Sequence, residues 1–150
     1  MINFWRTTDE YGCLSNFSKH AINVDGVVYD TVEHYYQAMK SDDPTVQEYV
    51  RTASTPKESK KRAYEKPAKE GWDTLKFDVM RKALRCKVSQ HNDVAKKLMK
   101  TYPQELAEAS PYDCIWGTGK DGKGQNCLGK MWMEIRDEIR LEQKYIDPSL

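Results

Sequence analysis

Apolar residues recur at helical spacing over most of this chain. In "WDTLKFDVMRKALRCKV", residues 72–88, Trp72, Leu75, Val79, Met80, Ala83 and Leu84 form one stripe, which predicts a long helix with one buried face. Leu128, Met131, Trp132, Ile135 and Ile139 form a second stripe and predict that the chain is helical from about Cys127. Start signals define the shorter helices. Thr31 suits the N-cap of "VEHYYQAMK", and Asn92 that of "DVAKKLMKTY". "TPKE", residues 55–58, is a capping box with Pro56 at the first helical position, so "KESKKRAYEK" should follow as helix. Near the N-terminus the pattern changes. "AINVDGVVY" holds two short β-favouring runs around Asp25–Gly26, a pair whose residues tolerate positive φ and therefore form tight hairpins. The pattern predicts an α+β, predominantly helical single domain over residues 1–150, with a small N-terminal β element within residues 2–29.

Length fits that picture, since 150 residues suffice for one ordinary domain with a real core. No repeat, low-complexity tract or linker divides the chain. With 24 basic and 23 acidic residues the net charge is +1, which gives no global pull towards nucleic acid or anionic membrane. No run approaches the ~18 apolar residues that span a bilayer, so no membrane partner is expected. The first residues lack a basic segment followed by an apolar run, so no secretion signal is expected. Cys13, Cys86, Cys114 and Cys127 form no C-x-x-C pair, and His20, His34 and His91 stand at no metal-ligand spacing from them. Four free thiols in a reducing cytoplasm, with no metal and no cofactor, is the expectation.

Chemistry concentrates in two places. "WGTGKDGKGQNCLGK", residues 116–130, holds five of the chain's eight glycines. It matches G-x-G-x-x-G through Gly117, Gly119 and Gly122, and the start of a P-loop through Gly117, Gly122 and Lys123. Both matches are weak evidence. Gly124 stands where a P-loop needs Ser or Thr, and Asp137, twenty residues after Gly117, falls inside the final helix rather than at the end of a second strand. Glycine amides with Lys120, Lys123 and Lys130 still suit an anion, and Asn126 suits the cap of the following helix. A plain surface connection explains the same residues equally well.

The second place is "TVEHYYQAMK". At ~100° per residue Val32, Tyr35, Tyr36 and Met39 share one face, while Glu33, Gln37 and Lys40 share another. An acid, an amide and an amine in a row beside aromatics suit a groove wall, although a solvated helix face is commoner. "SPYDCIWG" adds Asp113 and Trp116 just before the glycines, where an ordinary turn and a packing indole are the bland alternatives.

Four motifs together carry a resemblance. "LSNF" (14–17), "TVEHYYQAMK" (31–40), "W…VMRKALRCK" (72–87) and "SPYDCIWGTG…GKGQNCLGKMWMEIR" (110–136) resemble the NADAR superfamily, and within it the YbiA-like N-glycosidases. The order is the family's and the motifs span nearly the whole chain. "RTASTPKESKKRAYEKPAKEGW" departs most from the family pattern. The resemblance implies a YbiA-like fold and cleavage of a ribosyl C–N bond, most simply in the early intermediates of riboflavin biosynthesis, giving a pyrimidine and ribose 5-phosphate. It implies Glu33, Trp72, Asp113 and Trp116 as pocket residues.

Rupture of that bond builds positive charge on the sugar, which a carboxylate stabilises. Glu33 is preferred for this role because a helix fixes it, with Asp113 as the other acid. Lys40 is either a ligand or an amine that forms an imine with the opened ribose, which needs a desolvated lysine of lowered pKa. Trp72 or Trp116 would stack the base, and Asn16, Phe17 and Gln37 complete the expected binding residues. Gly117, Lys123, Asn126 and Lys130 would hold the 5′-phosphate. Two other functions compete: removal of ADP-ribose from guanine in nucleic acid, with the basic strip over residues 57–69 as its docking surface, and non-catalytic binding of ADP-ribose or a related nucleotide. The oligomeric state is not legible in the sequence.

Overall fold

The computed structural model describes all residues, Met1–Leu150. In chain order the elements are β1 (Ile2–Phe4), β2 (Ile22–Val24), β3 (Val27–Tyr29), α1 (Val32–Ala38), α2 (Pro44–Arg51), α3 (Pro56–Ala63), α4 (Trp72–Gln90), α5 (Asn92–Lys100), β4 (Leu106–Glu108) and α6 (Cys127–Ile146). The class is α+β with helices dominant. The chain forms two compact units, one of residues 16–92 and one of residues 1–15 with 93–150.

In the first unit β2 and β3 pair antiparallel, with Ile22 opposite Tyr29 and Val24 opposite Val27. Asp25 and Gly26 join them at φ 53° and 88°, the two left-handed residues that a type I′ turn demands. Thr31 then caps α1, its side chain accepting a hydrogen bond from the His34 amide. The neighbours of α1 are α2, α3, α4 and β3, and all seven of its residues are buried. The expected division into a packing face and a polar face is therefore not realised as core and solvent. Surrounded on every side, the helix buries Glu33 and Gln37 as completely as Tyr35 and Tyr36. His34 is a strut within this packing, its ring bonded to Thr31 Oγ1 at 2.8 Å and to the Ala53 carbonyl at 2.9 Å.

Thr55 caps α3 by accepting from the Glu58 amide, as the capping box predicts. Helix α2 has the same kind of start, Asp43 at the cap and Pro44 at the first helical position, with Val46, Tyr49, Val50 and Ala53 at helical spacing, a signal the reading of the sequence passed over. Gly71 lies at φ 78° and turns the chain into α4. Along α4 Met80, Ala83, Leu84 and Val88 are core residues, and Lys87 is wholly buried with its ammonium donating to Ser18 Oγ at 2.7 Å.

In the second unit β1 and β4 pair in parallel, Ile2 with Leu106 and Phe4 with Glu108, and α6 packs on β4. The small β element thus includes a strand far along the chain, outside residues 2–29. Leu128, Met131, Trp132 and Ile135 form the buried stripe of α6. The Trp132 indole donates to the Leu14 carbonyl at 3.0 Å. Arg136 is buried and donates to Thr101 Oγ1 and the Gln104 carbonyl.

Candidate functional site

The polar row of α1 is a built constellation rather than a solvated face. Glu33 and Gln37 are 7% and 3% exposed, one turn apart. Gln37 Nε2 donates to Glu33 Oε1 at 2.7 Å. That bond orients the carboxylate and commits the amide's nitrogen, yet Gln37 Oε1 is buried with no partner. Asn16 Oδ1 is a second buried acceptor with no partner. Asn16 adjoins the start of α1, where its carbonyl accepts from the Glu33 amide at 3.2 Å, and its side-chain nitrogen reaches only Met80 Sδ at 3.5 Å. A buried carbonyl oxygen without a donor is costly, of order 1–3 kcal/mol. Two of them beside a buried carboxylate are suited to the hydroxyl donors of a sugar.

Helix α1 ends at Ala38, so Lys40 lies in the turn beyond it rather than on the helix. Its ammonium sits 4.4 Å from the centre of the Tyr64 ring and 5.8 Å from that of Tyr36. Burial pushes its pKa below the ordinary 10.5, against the Glu33 carboxylate, which acts to raise it. The charges of Lys60 and Lys76 push in the same direction as burial. Trp72, the first residue of α4, is 6% exposed and lies against Tyr36, ring centres 5.2 Å apart. Phe17 is more open, at 38%. Asn16, Glu33, Gln37, Lys40 and Trp72 therefore gather around α1. Sequence reasoning did not connect Tyr64, Lys60 and Lys76 with α1, although the basic strip over residues 57–69 contains the first two. The only signal of that connection was spacing: Lys60 and Tyr64 lie one turn apart, as do Trp72 and Lys76.

The residues expected near the glycine loop form a cluster of their own. Asp113 Oδ1 accepts from the amides of Ile115 and Trp116 at 2.9 and 2.8 Å, so this carboxylate holds a turn. Asn126 at φ 52° makes no side-chain cap on α6. Its amide instead clamps β4, accepting from the Glu108 amide and donating to the Leu106 carbonyl, both at 2.9 Å. The loop's backbone donors are largely consumed by carbonyls of the loop and of the segment just before it. The amides of Thr118, Gly119, Gly122, Gly124, Gln125, Asn126, Cys127 and Leu128 each donate to a backbone oxygen of residues 108–119. The Lys123 amide donates to Asp121. Gly117 serves close approach: a Cβ there would strike Glu108 Oε2 and come within 2.9 Å of the Asp113 carbonyl. Trp116 is half-buried, while Lys120, Lys123 and Lys130 are exposed.

The histidines hold one grouping that spacing did not reveal. His20 and His91 meet edge to face at 4.9 Å, with His20 Nδ1 on Ser18 Oγ and His91 Nε2 on the Ala21 carbonyl.

Comparison with known proteins gives this arrangement its context. The model of the NADAR domain matches residues 3–140 and so covers both units. The N-glycosidase YbiA of Escherichia coli is 41% identical over 145 residues, 95% of this chain and 91% of that protein. The NMR structure of E. coli YbiA superposes with a TM-score of 0.87, covering 95% of this chain and 86% of that one. The chloroplastic riboflavin biosynthesis protein PYRR of Zea mays is 36% identical over 156 residues, 93% of this chain and a 25% share of that longer protein.

Proposed function

The chain belongs to the NADAR family, and from that premise we propose that α1 carries the chemistry of a ribosyl N-glycosidase. The enzyme is a hydrolase acting on N-glycosyl compounds, and its substrate is a small molecule. The substrate class follows the relatives named for riboflavin biosynthesis: a ribosylamino-pyrimidine 5′-phosphate, released as the pyrimidine and ribose 5-phosphate. The observation that carries this reading is the buried Glu33 carboxylate bonded to Gln37, whose Oε1 has no partner, with a second unpartnered buried acceptor on Asn16, the residue whose backbone carbonyl accepts from the Glu33 amide.

In that reaction the C1–N bond breaks and its electron pair leaves with the nitrogen, which takes up a proton. The ribosyl C1 becomes cationic. Glu33 stabilises that charge and accepts the proton of the water that adds to C1. Gln37 and Asn16 hold the ribose hydroxyls, and Gln37 also fixes the carboxylate through its 2.7 Å bond. Trp72 and Tyr36 supply the aromatic wall for the base. Burial makes Lys40 give up its proton more readily than an exposed lysine, which favours its attack as an amine on C1 of the opened sugar, forming an imine with loss of water. Asp113 serves the turn before Trp116.

Purified protein incubated with a ribosylamino-pyrimidine phosphate and, separately, with ADP-ribosylated guanine DNA should release free pyrimidine and ribose 5-phosphate from the first. Release from the DNA alone would replace this substrate class. Release from neither, with tight ADP-ribose binding, would make the chain a binding module.

A further inference from the structure

Two rings link three lysines beside α1: the Lys40 ammonium lies over the Tyr36 and Tyr64 rings, Tyr64 follows Lys60 by one turn, and Tyr36 packs on Trp72, one turn before Lys76. Lys40 is within electrostatic reach of both Lys60, on α3, and Lys76, on α4. Lys60 lies one turn before Tyr64, whose amide donates to the Lys60 carbonyl and whose ring carries Lys40 at 4.4 Å although 68% of the residue is exposed. Lys76 lies one turn after Trp72 on the same face of α4. Its side chain is only 12% exposed, and its ammonium is 5.5 Å from the Phe77 ring centre. The one carboxylate paired with it is Asp73, at 3.4 Å with a side chain 97% exposed, a contact open to water and worth little. Like charges held together beside a partly dry wall repel one another. Packing does not require the arrangement, because two of the three stems end in no ion pair. An anion would relieve it.

The reading of α1 as the sugar site makes the identity of that anion specific, and this inference rests on it. We propose that Lys60 and Lys76 hold the phosphate of the substrate, with Tyr64 as the floor of the subsite, and that they select phosphorylated ribosides over dephosphorylated ones. The loop over residues 116–130 offers an anion less, because most of its amides are already bonded to backbone carbonyls. A phosphate here also has a chemical consequence. It neutralises the charges of Lys60 and Lys76, so the Lys40 amine would become more basic on substrate binding.

The test measures two things on wild type, Lys60→Ala, Lys76→Ala and Lys76→Arg, with Lys96→Ala, an exposed residue of α5, as a charge control. The first is binding of ribose 5-phosphate, ribose and inorganic phosphate by calorimetry. The second is kcat/KM on the phosphorylated and dephosphorylated riboside. Loss of one charge-assisted contact should cost about tenfold to a hundredfold in affinity for ribose 5-phosphate and in kcat/KM for the phosphorylated substrate. The loss should appear in KM rather than kcat. Ribose binding should be unaffected, turnover of the dephosphorylated substrate should change only through the more basic Lys40 and by less than the loss on the phosphorylated one, and Lys76→Arg should restore most of the preference. Lys60 is exposed, so its variant folds whatever happens at Lys76. Unchanged phosphate preference in both alanine variants overturns the subsite while leaving the glycosidase reading intact. So does failure of wild type to bind ribose 5-phosphate more tightly than ribose. Lysine-dependent phosphate binding without turnover of any riboside would instead uphold the subsite and overturn the glycosidase reading.

Discussion

Replacing Glu33 with glutamine separates structure from chemistry at the centre of the site. The side chain keeps its shape, and its remaining carbonyl oxygen still accepts from Gln37 Nε2, the partner now at 2.7 Å. What is lost is charge. A charge-assisted hydrogen bond becomes a neutral one of roughly half the strength, so the change in stability should be about 1 kcal/mol. In a chain of 150 residues that moves the melting temperature by about 2–4 °C. A 7% exposed carboxylate also carries a desolvation penalty that the amide escapes, which offsets part of that change. Turnover should respond on a different scale. A positioned carboxylate facing a cationic transition state contributes roughly 10²–10⁴-fold, so Glu33→Gln should lose that much in kcat with the fold intact. The assay is release of free pyrimidine and ribose 5-phosphate by the purified variant, beside its thermal melt. A folded variant with near-wild-type kcat would refute the role of Glu33 and leave Lys40 as the group to examine.

The activity of wild type should rise with pH along a limb set by Lys40 and lying below 10.5, because burial favours the neutral amine that an imine requires. Borohydride trapping of a sugar adduct on wild type but not on Lys40→Ala checks the same group. Stability should rise over that pH window too, since the unfolded chain holds a proton there that the folded Lys40 has released, and Lys40→Met should flatten the slope of chemical denaturation against pH. Asp113→Asn keeps an oxygen for the amides of Ile115 and Trp116 and should stay within about 0.5 kcal/mol of wild type with little loss of turnover, whereas Asp113→Ala should cost about 1 kcal/mol in denaturant titrations. Asn126→Ala removes both bonds to β4 and should destabilise by about 1–3 kcal/mol in the same measurement.

What the sequence revealed, and what it concealed, follows from the range of the interactions. Caps and tight turns are local, so Thr31, the Thr55–Glu58 box and Asp25–Gly26 could be read directly. Helix α2 carried the same kind of start at Asp43–Pro44 and a short stripe of Val46, Tyr49, Val50 and Ala53, so this element was legible but was not read. The pairing of β1 with β4 joins three residues to three others about a hundred positions away, and no periodicity records such a contact. Glu33, Gln37 and Lys40 were identifiable as a row from helical spacing, but not as buried. Spacing describes one helix, whereas burial depends on the four elements packed around it. The glycine loop shows the converse limit. Its composition displays many amides, while only the folded backbone shows that their hydrogen bonds turn inward.

The Lys40 carbonyl accepts a hydrogen bond from the Lys69 amide at 2.8 Å. That single bond ties the two ends of the excursion that contains α2 and α3, so the chain leaves α1 and returns to it through one narrow neck. Residues between the ends contribute Lys60 and Tyr64 to the surroundings of the Lys40 amine, while Glu33, Gln37 and Trp72 lie outside the neck. Such a layout leaves the outer turns free to vary, while Ala53, which holds His34, and the faces of α2 and α3 packed on α1 stay fixed. Lengthening or rewriting the outer turns costs little closure entropy once the neck is tied, with each doubling of length adding about 0.6 kcal/mol. The bond-breaking residues can then stay in place while the outer turns change which leaving group or phosphate the enzyme accepts.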